Sequence, residues 1–413
     1  MGKCYSDKVE QALEYIYYNE KAGKGQEGFQ LLEEASAAGD GDASCILARC
    51  LNGYQYVWRG HGFPEDEARA TKLLHKSIEQ GSALGVLIGM RNGDLTPSME
   101  KKMPFASIQE AFDVVLRNAQ QGDAFSQYVI GNTYFWWDFL RIQGKGAESF
   151  PNREAFKAYL KENIQQCEGW FLKAFQNGLF YAGNNLNSYY ENGDEDIIPP
   201  QPQKAAPLHR MGAERGYPTY EYLYGLDLQK EKRYEDAIYW LKKAMEHGEP
   251  GAWYYVGSAY AEGEGVTKDE AYAAKCCEKS IELGYNLVGS HNQLGYLYYK
   301  GLGVPQDYAK AYQHLIWAYE NDSQWGLVFL GECCFYGRGV QQDYKRAREF
   351  MEQVNWNSWS ANYILGCIYG QGLGVPADIK KGVEYLQKAG DMKEAKEELL
   401  HYKKGFFGQW KRR

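Results

Sequence analysis

The feature that most constrains this chain is a seven-residue phrase written five times. Gly60 to Asp66 reads GHGFPED, Gly263 to Asp269 GEGVTKD, Gly301 to Asp307 GLGVPQD, Gly337 to Asp343 GRGVQQD and Gly372 to Asp378 GLGVPAD. The last four copies begin 38, 36 and 35 residues apart. A period of that size marks one supersecondary unit stacked many times, because each unit buries its apolar face only against its neighbours.

The residues around each copy say what the unit is. Four residues after the Asp stands a small residue (Ala70, Ala273, Ala311, Ala347, Gly382) and eight after it an apolar one (Leu74, Cys277, Leu315, Met351, Leu386). Eleven after it comes another small or modest residue: Ser77, Ser280, Ala318, Val354, Ala389. These positions share one face of a 3.6-period helix, with the Asp placed as its N-cap and its charge matched to the helix dipole. Before each loop a second helix carries Gly-x-x-Tyr, as at Gly131–Tyr134, Gly257–Tyr260, Gly295–Tyr298 and Gly366–Tyr369, with Gly331–Cys334 as a variant. A mid-helix Gly costs about 1 kcal/mol against Ala, so its recurrence predicts a close approach between helices. The loop glycines supply the positive φ of a tight reversal. The unit is helix A, Gly-rich turn, Asp cap, helix B.

The pattern LGxxY followed by GxGVxxDxxKA, as in LGYLYYKGLGVPQDYAKA, resembles the Sel1-like repeat, an α/α solenoid unit related to the tetratricopeptide repeat. The match is specific over 251–390 and weaker over 43–81, where residues from Tyr54 to Trp58 lengthen the turn. Residues 218–248 look more like a tetratricopeptide repeat, with Ala237, Leu241 and Ala244 in the helix B register. Residues 83–216 match loosely, with long turns at 92–106 and 139–151 and a connector at Pro199, Pro200 and Pro202. The resemblance implies an all-α, right-handed superhelical solenoid of about ten helix-turn-helix repeats. Its expected parts are an N-terminal capping pair (1–42), divergent repeats (43–216), regular repeats (217–390, with 217–248 tetratricopeptide-like and 249–390 Sel1-like) and a capping helix with a basic aromatic tail (391–413).

Composition narrows the function classes. Of 413 residues, 44% are hydrophobic and 15% aromatic, ample surface for a folded core and against disorder. The net charge of −8 argues against a whole-protein nucleic-acid footprint. No apolar run reaches membrane-spanning length, and residues 1–18 contain no signal-peptide apolar region, which points to the cytoplasm. Gly2 and Ser6 satisfy M-G-x-x-x-S formally, but the stretch reads as a short terminus before an amphipathic helix. Nine cysteines without CxxC read as reduced, buried thiols. The adjacent pairs Cys276–Cys277 and Cys333–Cys334 point about 100° apart on a helix, unsuited to sharing a metal.

No phosphate-binding loop, HExxH, GxSxG or calcium loop occurs. Ser98 to Lys101 spells SxxK without companion motifs, and the seven histidines show no i, i+4 pair. No catalytic residue, cofactor or metal is expected. What remains is a surface. The family geometry implied by the resemblance places in the concave groove the residues six and three before the helix A glycine, and one and four or five after it. That selects Phe125, Tyr128, Asn132 and Trp136, then Tyr222, then Tyr254 with Ser258. Asn292, Tyr296 and Tyr299 follow, then Trp325, Glu332, Phe335 and Tyr336, and finally Tyr363. Aromatic rings anchor an extended peptide, amides pair with its backbone and Glu332 suits a basic side chain; the competing reading is packing between repeats.

The tail YKKGFFGQWKRR suits an anionic membrane or nucleic acid, or a cap in which Phe406, Phe407 and Trp410 cover the last repeat; the cap is the reading adopted. The expected function is a cytoplasmic, non-catalytic adaptor that binds a protein or extended peptide. The alternatives are a secreted, host-interacting effector, which presence in culture supernatant would support, and a regulatory subunit of an enzyme with a site in 92–216, which turnover would support.

Overall fold

The structure, a computed structural model, describes residues 4–18, 24–53, 57–194, 196–354, 358–405 and 408–413. Gly2, the lengthened turn at 54–56 and the rings of Phe406 and Phe407 lie outside the described residues. The chain divides into two compact units. The first comprises residues 1–231 with 243–249, the second 232–242 with 250–413. Apart from one short hairpin and an isolated bridge, the regular structure of the described residues is helical, so the chain is an all-α solenoid of helical repeats.

In the second unit the helix pairs follow one another without interruption. They are Ala252–Glu262 with Glu270–Glu282, Leu287–Lys300 with Tyr308–Glu320, Leu327–Tyr336 with Tyr344–Glu352, and Trp359–Gln371 with Ile379–Lys388. Asp269, Asp307, Asp343 and Asp378 each accept from backbone N–H groups of the first turn that follows, and Asp66 does the same in the first unit. Each also donates its own N–H to a helix A carbonyl (Tyr260, Tyr298, Cys334 and Tyr369, with Leu51 for Asp66) at 2.8–3.0 Å. One residue thus closes the turn and starts the next helix.

The predicted helix contact has a specific form. A Cβ on Gly295 would lie 2.5 Å from Leu315 Cγ, on Gly331 2.6 Å from Met351 Cε, and on Gly366 2.6 Å from Leu386 Cγ. In these three repeats the apolar residue eight after the Asp fills the notch left by the helix A glycine, whereas at Gly257 the nearest atom is Cys276 Cβ, at 2.9 Å. The small and apolar positions of helix B are buried, except Val354, which is half-buried because its helix already ends at Glu352.

The two loop glycines do different work. The first, as at Gly301, ends helix A in the left-handed conformation. The second also has positive φ, but it abuts the preceding repeat. A Cβ on Gly303 would sit 2.2 Å from Ala271 N, and one on Gly339 2.2 Å from Tyr308 C. The phrase is both a hairpin turn and a stacking contact.

The first unit is less regular. Gly41–Leu51 packs on Glu67–Glu79, Ala83–Asn92 on Ile108–Gln120, and Tyr181–Asn192 on Ala205–Glu214. Ala124–Phe135 pairs with Gln166–Gln176, the intervening segment holding Asp138–Ile142 and Arg153–Ile164. Its core is rich in rings, with Tyr17, Phe125, Phe171, Phe175 and Tyr220 fully buried.

The terminal segment departs from expectation. Where a capping helix followed by a tail is expected over 391–413, a short helix spans Lys393–Leu399, and the tail forms a strand pair, Tyr402–Lys404 antiparallel with Trp410–Arg412. Tyr402 is the physical reason. Its ring is buried, and its hydroxyl donates to Glu398 and lies against Gly370, drawing the chain out of the helix and back along the last pair. Trp410 packs on the last repeat's core.

Candidate functional site

The groove residues selected from the sequence fall into distinct environments. In the first unit, Phe125 is fully buried and meets Tyr17 edge-on with ring centroids 5.2 Å apart; it is a core ring. Tyr128 and Asn132 are almost wholly buried, yet with the exposed Trp136 they line a cavity of about 710 Å³. Its wall also carries Arg49, Arg91 and Asp94. Arg49 is buried, donates to the hydroxyls of Tyr17 and Tyr128 at 3.3 Å, and stacks over the rings of Phe125 and Tyr128. Asn185 donates its amide N–H to Asn132 Oδ1. Arg91 is bonded to Asp138, whose pKa burial raises against the lowering effect of that guanidinium. Burial likewise raises the pKa of Asp94, opposed by His75 at 3.8 Å. The cavity wall is charged on both signs and rich in amides. Arg49 escaped sequence selection, although an Arg inside the apolar run ILARCL was its signal. Tyr222, on Pro218–Lys230, is half-buried in the same unit.

In the second unit successive helices A bring the selected side chains into contact. The half-buried Tyr254 ring occupies the space opened by Gly289, with Ser258 one turn further along its helix. Asn292 Nδ2 donates to Ser323 Oγ at 2.8 Å, while its Oδ1 is buried without a partner. Tyr296 meets Trp325 edge-on at 5.9 Å, and both rings lean on Phe329, at 5.7 and 5.8 Å. Trp325 is 49% exposed. Phe329 was not selected; Trp325 lies in the turn just before the helix that carries Phe329, Leu327–Tyr336, and an aromatic pair four residues apart was the available signal.

Beyond this shelf lies a polar hub. The buried Tyr299 donates to one oxygen of Glu332 and Ser360 to the other, while Arg338 donates to the Tyr299 hydroxyl at 3.2 Å. Burial, then the Glu332 carboxylate, raise the Tyr299 pKa. Glu332 is thus engaged within the fold instead of presenting both oxygens to a basic partner. Phe335 is buried, whereas Tyr336 is exposed beneath the Arg338 guanidinium, 4.5 Å from its ring centroid. Tyr363 is half-buried one repeat on, its pKa raised by burial and by Cys367. Among the described residues no group of three or more His, Cys, Asp or Glu is placed to hold a metal ion, and no helix is long and apolar enough to cross a membrane.

Comparison with known proteins bears on this arrangement. The family model of the Sel1 repeat matches residues 47–82, 158–179, 178–217, 208–249, 252–285, 289–323, 326–353 and 359–393, more than half of the chain. The segment read as tetratricopeptide-like lies within one of these matches. A curated protein of Schizosaccharomyces pombe, described as an uncharacterised Sel1-like repeat-containing protein, is 38% identical over 69 residues, 16% of this chain and 10% of its own length. Among solved structures, c5321, a protective antigen present in uropathogenic Escherichia coli strains and displaying an SLR fold, aligns with 94% of this chain and 78% of its own, at 21% identity and a TM-score of 0.52. That is a likeness of fold. A Sel1 repeat protein from Oxalobacter formigenes covers 42% of this chain and 72% of its own at 28% identity and a TM-score of 0.36.

Proposed function

Because the chain belongs to the Sel1 repeat family, whose solenoids are generally non-catalytic scaffolds for protein interaction, we propose that it is an adaptor that holds an extended segment of a protein partner on the aromatic shelf of its second unit. The observation that carries this reading is Trp325, half exposed yet held edge-on by Tyr296 and backed by Phe329. Trp and Tyr dominate binding hot spots because a rigid ring buries much area for little lost rotamer freedom, and here the rings are already positioned. Beside the shelf, Asn292 donates to Ser323, which leaves the Ser323 hydroxyl proton as a donor suited to a peptide carbonyl. Nine unpaired thiols, eight of them buried, fit a reducing compartment such as the cytoplasm.

Peptide-display selection on the full chain tests this. Selected peptides should bind wild type and lose at least tenfold in affinity with Tyr296→Ala or Trp325→Ala. Tyr239→Ala, which removes an exposed ring elsewhere in the unit, should leave binding unchanged. Equal loss in all three would remove the shelf from consideration.

The cavity of the first unit favours a second reading, in which it holds a polar ligand through Asn132, Asn185 and the Arg49 wall. A polar-metabolite screen by thermal shift tests it: a hit that Asn185→Ala does not weaken argues against this site.

A further inference from the structure

We propose that the paired strands Tyr402–Lys404 and Trp410–Arg412, with Arg413, are a docking ledge for an anionic lipid surface. In a chain of net charge −8, residues 402–413 hold Lys403, Lys404, Lys411, Arg412 and Arg413 and no Asp or Glu. The strand register sets Lys403 directly opposite Lys411. Like charges facing each other across a strand pair are destabilising, and nothing in the hairpin offsets them. Arg412 lies 4.0 Å from Glu398, a carboxylate that also accepts from Tyr402 and Gln371. Lys403, Lys404, Lys411 and Arg413 are exposed, with no carboxylate at ion-pair distance among the described residues.

The charges sit on a rigid mount. Tyr402 is buried, Trp410 packs on the core of the last repeat, and backbone bonds from Gly405 to Gln409 and from Arg413 to His401, both 2.7 Å, tie the hairpin together and to the preceding turn. Burial of Tyr402 turns Lys403, and with it Lys411, outward by the alternation of the pleat. The result is a fixed basic ledge with an internal repulsion that an anionic surface relieves.

Two features favour lipid over nucleic acid as the occupant. Trp410 is half-buried against the core of the last repeat, with Lys404 5.8 Å from its ring centroid, so the ring is engaged within the fold and not splayed out for base stacking. Strands of three residues span only about 10 Å, too short to follow a polynucleotide backbone, whereas mobile anionic headgroups gather under a compact cluster. Each basic residue near such a surface is worth about a fivefold gain in partition, fading over about one Debye length.

The test is sedimentation of the full chain with vesicles of phosphatidylcholine, alone or with phosphatidylserine as a third of the lipid, at about 0.1 M salt. The expected result is binding to the phosphatidylserine vesicles only, reversed near 1 M salt, and weakened by about 25-fold or more in the double variant Lys403→Gln, Lys411→Gln. That variant removes the cross-strand repulsion, so a merely structural role would leave the hairpin firmer and binding unaltered. Equal sedimentation with both vesicles, full binding by the double variant, or retention of duplex or single-stranded DNA in place of the anionic vesicles would each overturn the proposal.

Discussion

Alanine substitution at the second glycine of the loop phrase should cost different amounts in repeats that share the same backbone angle. Gly303, Gly339 and Gly374 have φ of 68°, 71° and 67°, so an Ala at any of them bears the left-handed strain of about 1–2 kcal/mol. Their surroundings differ. A Cβ at Gly303 would lie 2.2 Å from Ala271 N and 2.3 Å from Glu270 C, and at Gly339 2.2 Å from Tyr308 C. These atoms are backbone in the first turn of a capped helix and cannot rotate aside, so the repeats must separate, an overpacking cost of about 1–3 kcal/mol more. A Cβ at Gly374 would meet Tyr344 Cβ at 3.4 Å, an ordinary contact. Gly303→Ala and Gly339→Ala should therefore cost about 2–5 kcal/mol and Gly374→Ala about 1–2 kcal/mol. Because repeat arrays unfold in parts, urea denaturation should be paired with hydrogen exchange over the Glu270–Glu282 and Tyr308–Glu320 helices. Three equal losses, or the largest at Gly374, would refute the assignment of this glycine to inter-repeat stacking.

Other expectations follow from single contacts. Asp307→Ala removes the acceptor for the N–H groups of Ala309 and Lys310 and should cost about 1 kcal/mol, read as a lower urea midpoint and faster exchange at residues 309–311; an unchanged midpoint would count against the cap. His291 and His314 face each other Nδ1 to Nδ1 at 3.0 Å, a contact that needs one donor and one acceptor. Burial, then His314, lower the His291 pKa from 6.5 to about 4, and burial, then Lys310, lower that of His314. The unfolded chain then binds more protons, so this stability is complete above about pH 6.5 and is lost as pH falls toward 4; His291→Gln should flatten that limb of the melting profile, and an identical profile would contradict the pairing. Burial pushes the thiols of Cys276 to about 11 and Cys50 to about 12. A thiol reagent at pH 8 should modify the half-buried Cys4 first and the other eight only on denaturation; rapid modification of Cys276 or Cys333 would contradict their burial.

Much of the fold was legible because the repeat is local chemistry. An Asp that caps, a Gly that reverses and a Gly-to-Leu notch all act within one helix pair, and each recurs at fixed spacing. The rest depends on how one repeat meets the next. The stacking role of Gly303 appears only when the N-terminus of the preceding helix B lies against it. Glu332 reads as a groove acid, yet Tyr299 from the repeat before and Ser360 from the repeat after take its oxygens. Phe125 and Tyr128 sit at matching groove positions, but one is core and the other lines a cavity, because Tyr17 and Arg49 arrive from far away in sequence. Trp325, Tyr296 and Asn292 were legible as a set because Asn292 and Tyr296, four residues apart, share one face of a helix A, and Trp325 holds the position six before the glycine of the next repeat.

The most direct test of the central claim is photo-crosslinking in lysate of the source cells, with p-benzoylphenylalanine placed at position 325 or at the control position 239. The account expects one protein partner crosslinked through a contiguous peptide at 325, absent at 239 and competed away by a shelf-binding peptide. Crosslinks of equal yield at both positions, or at 239 alone, would contradict it.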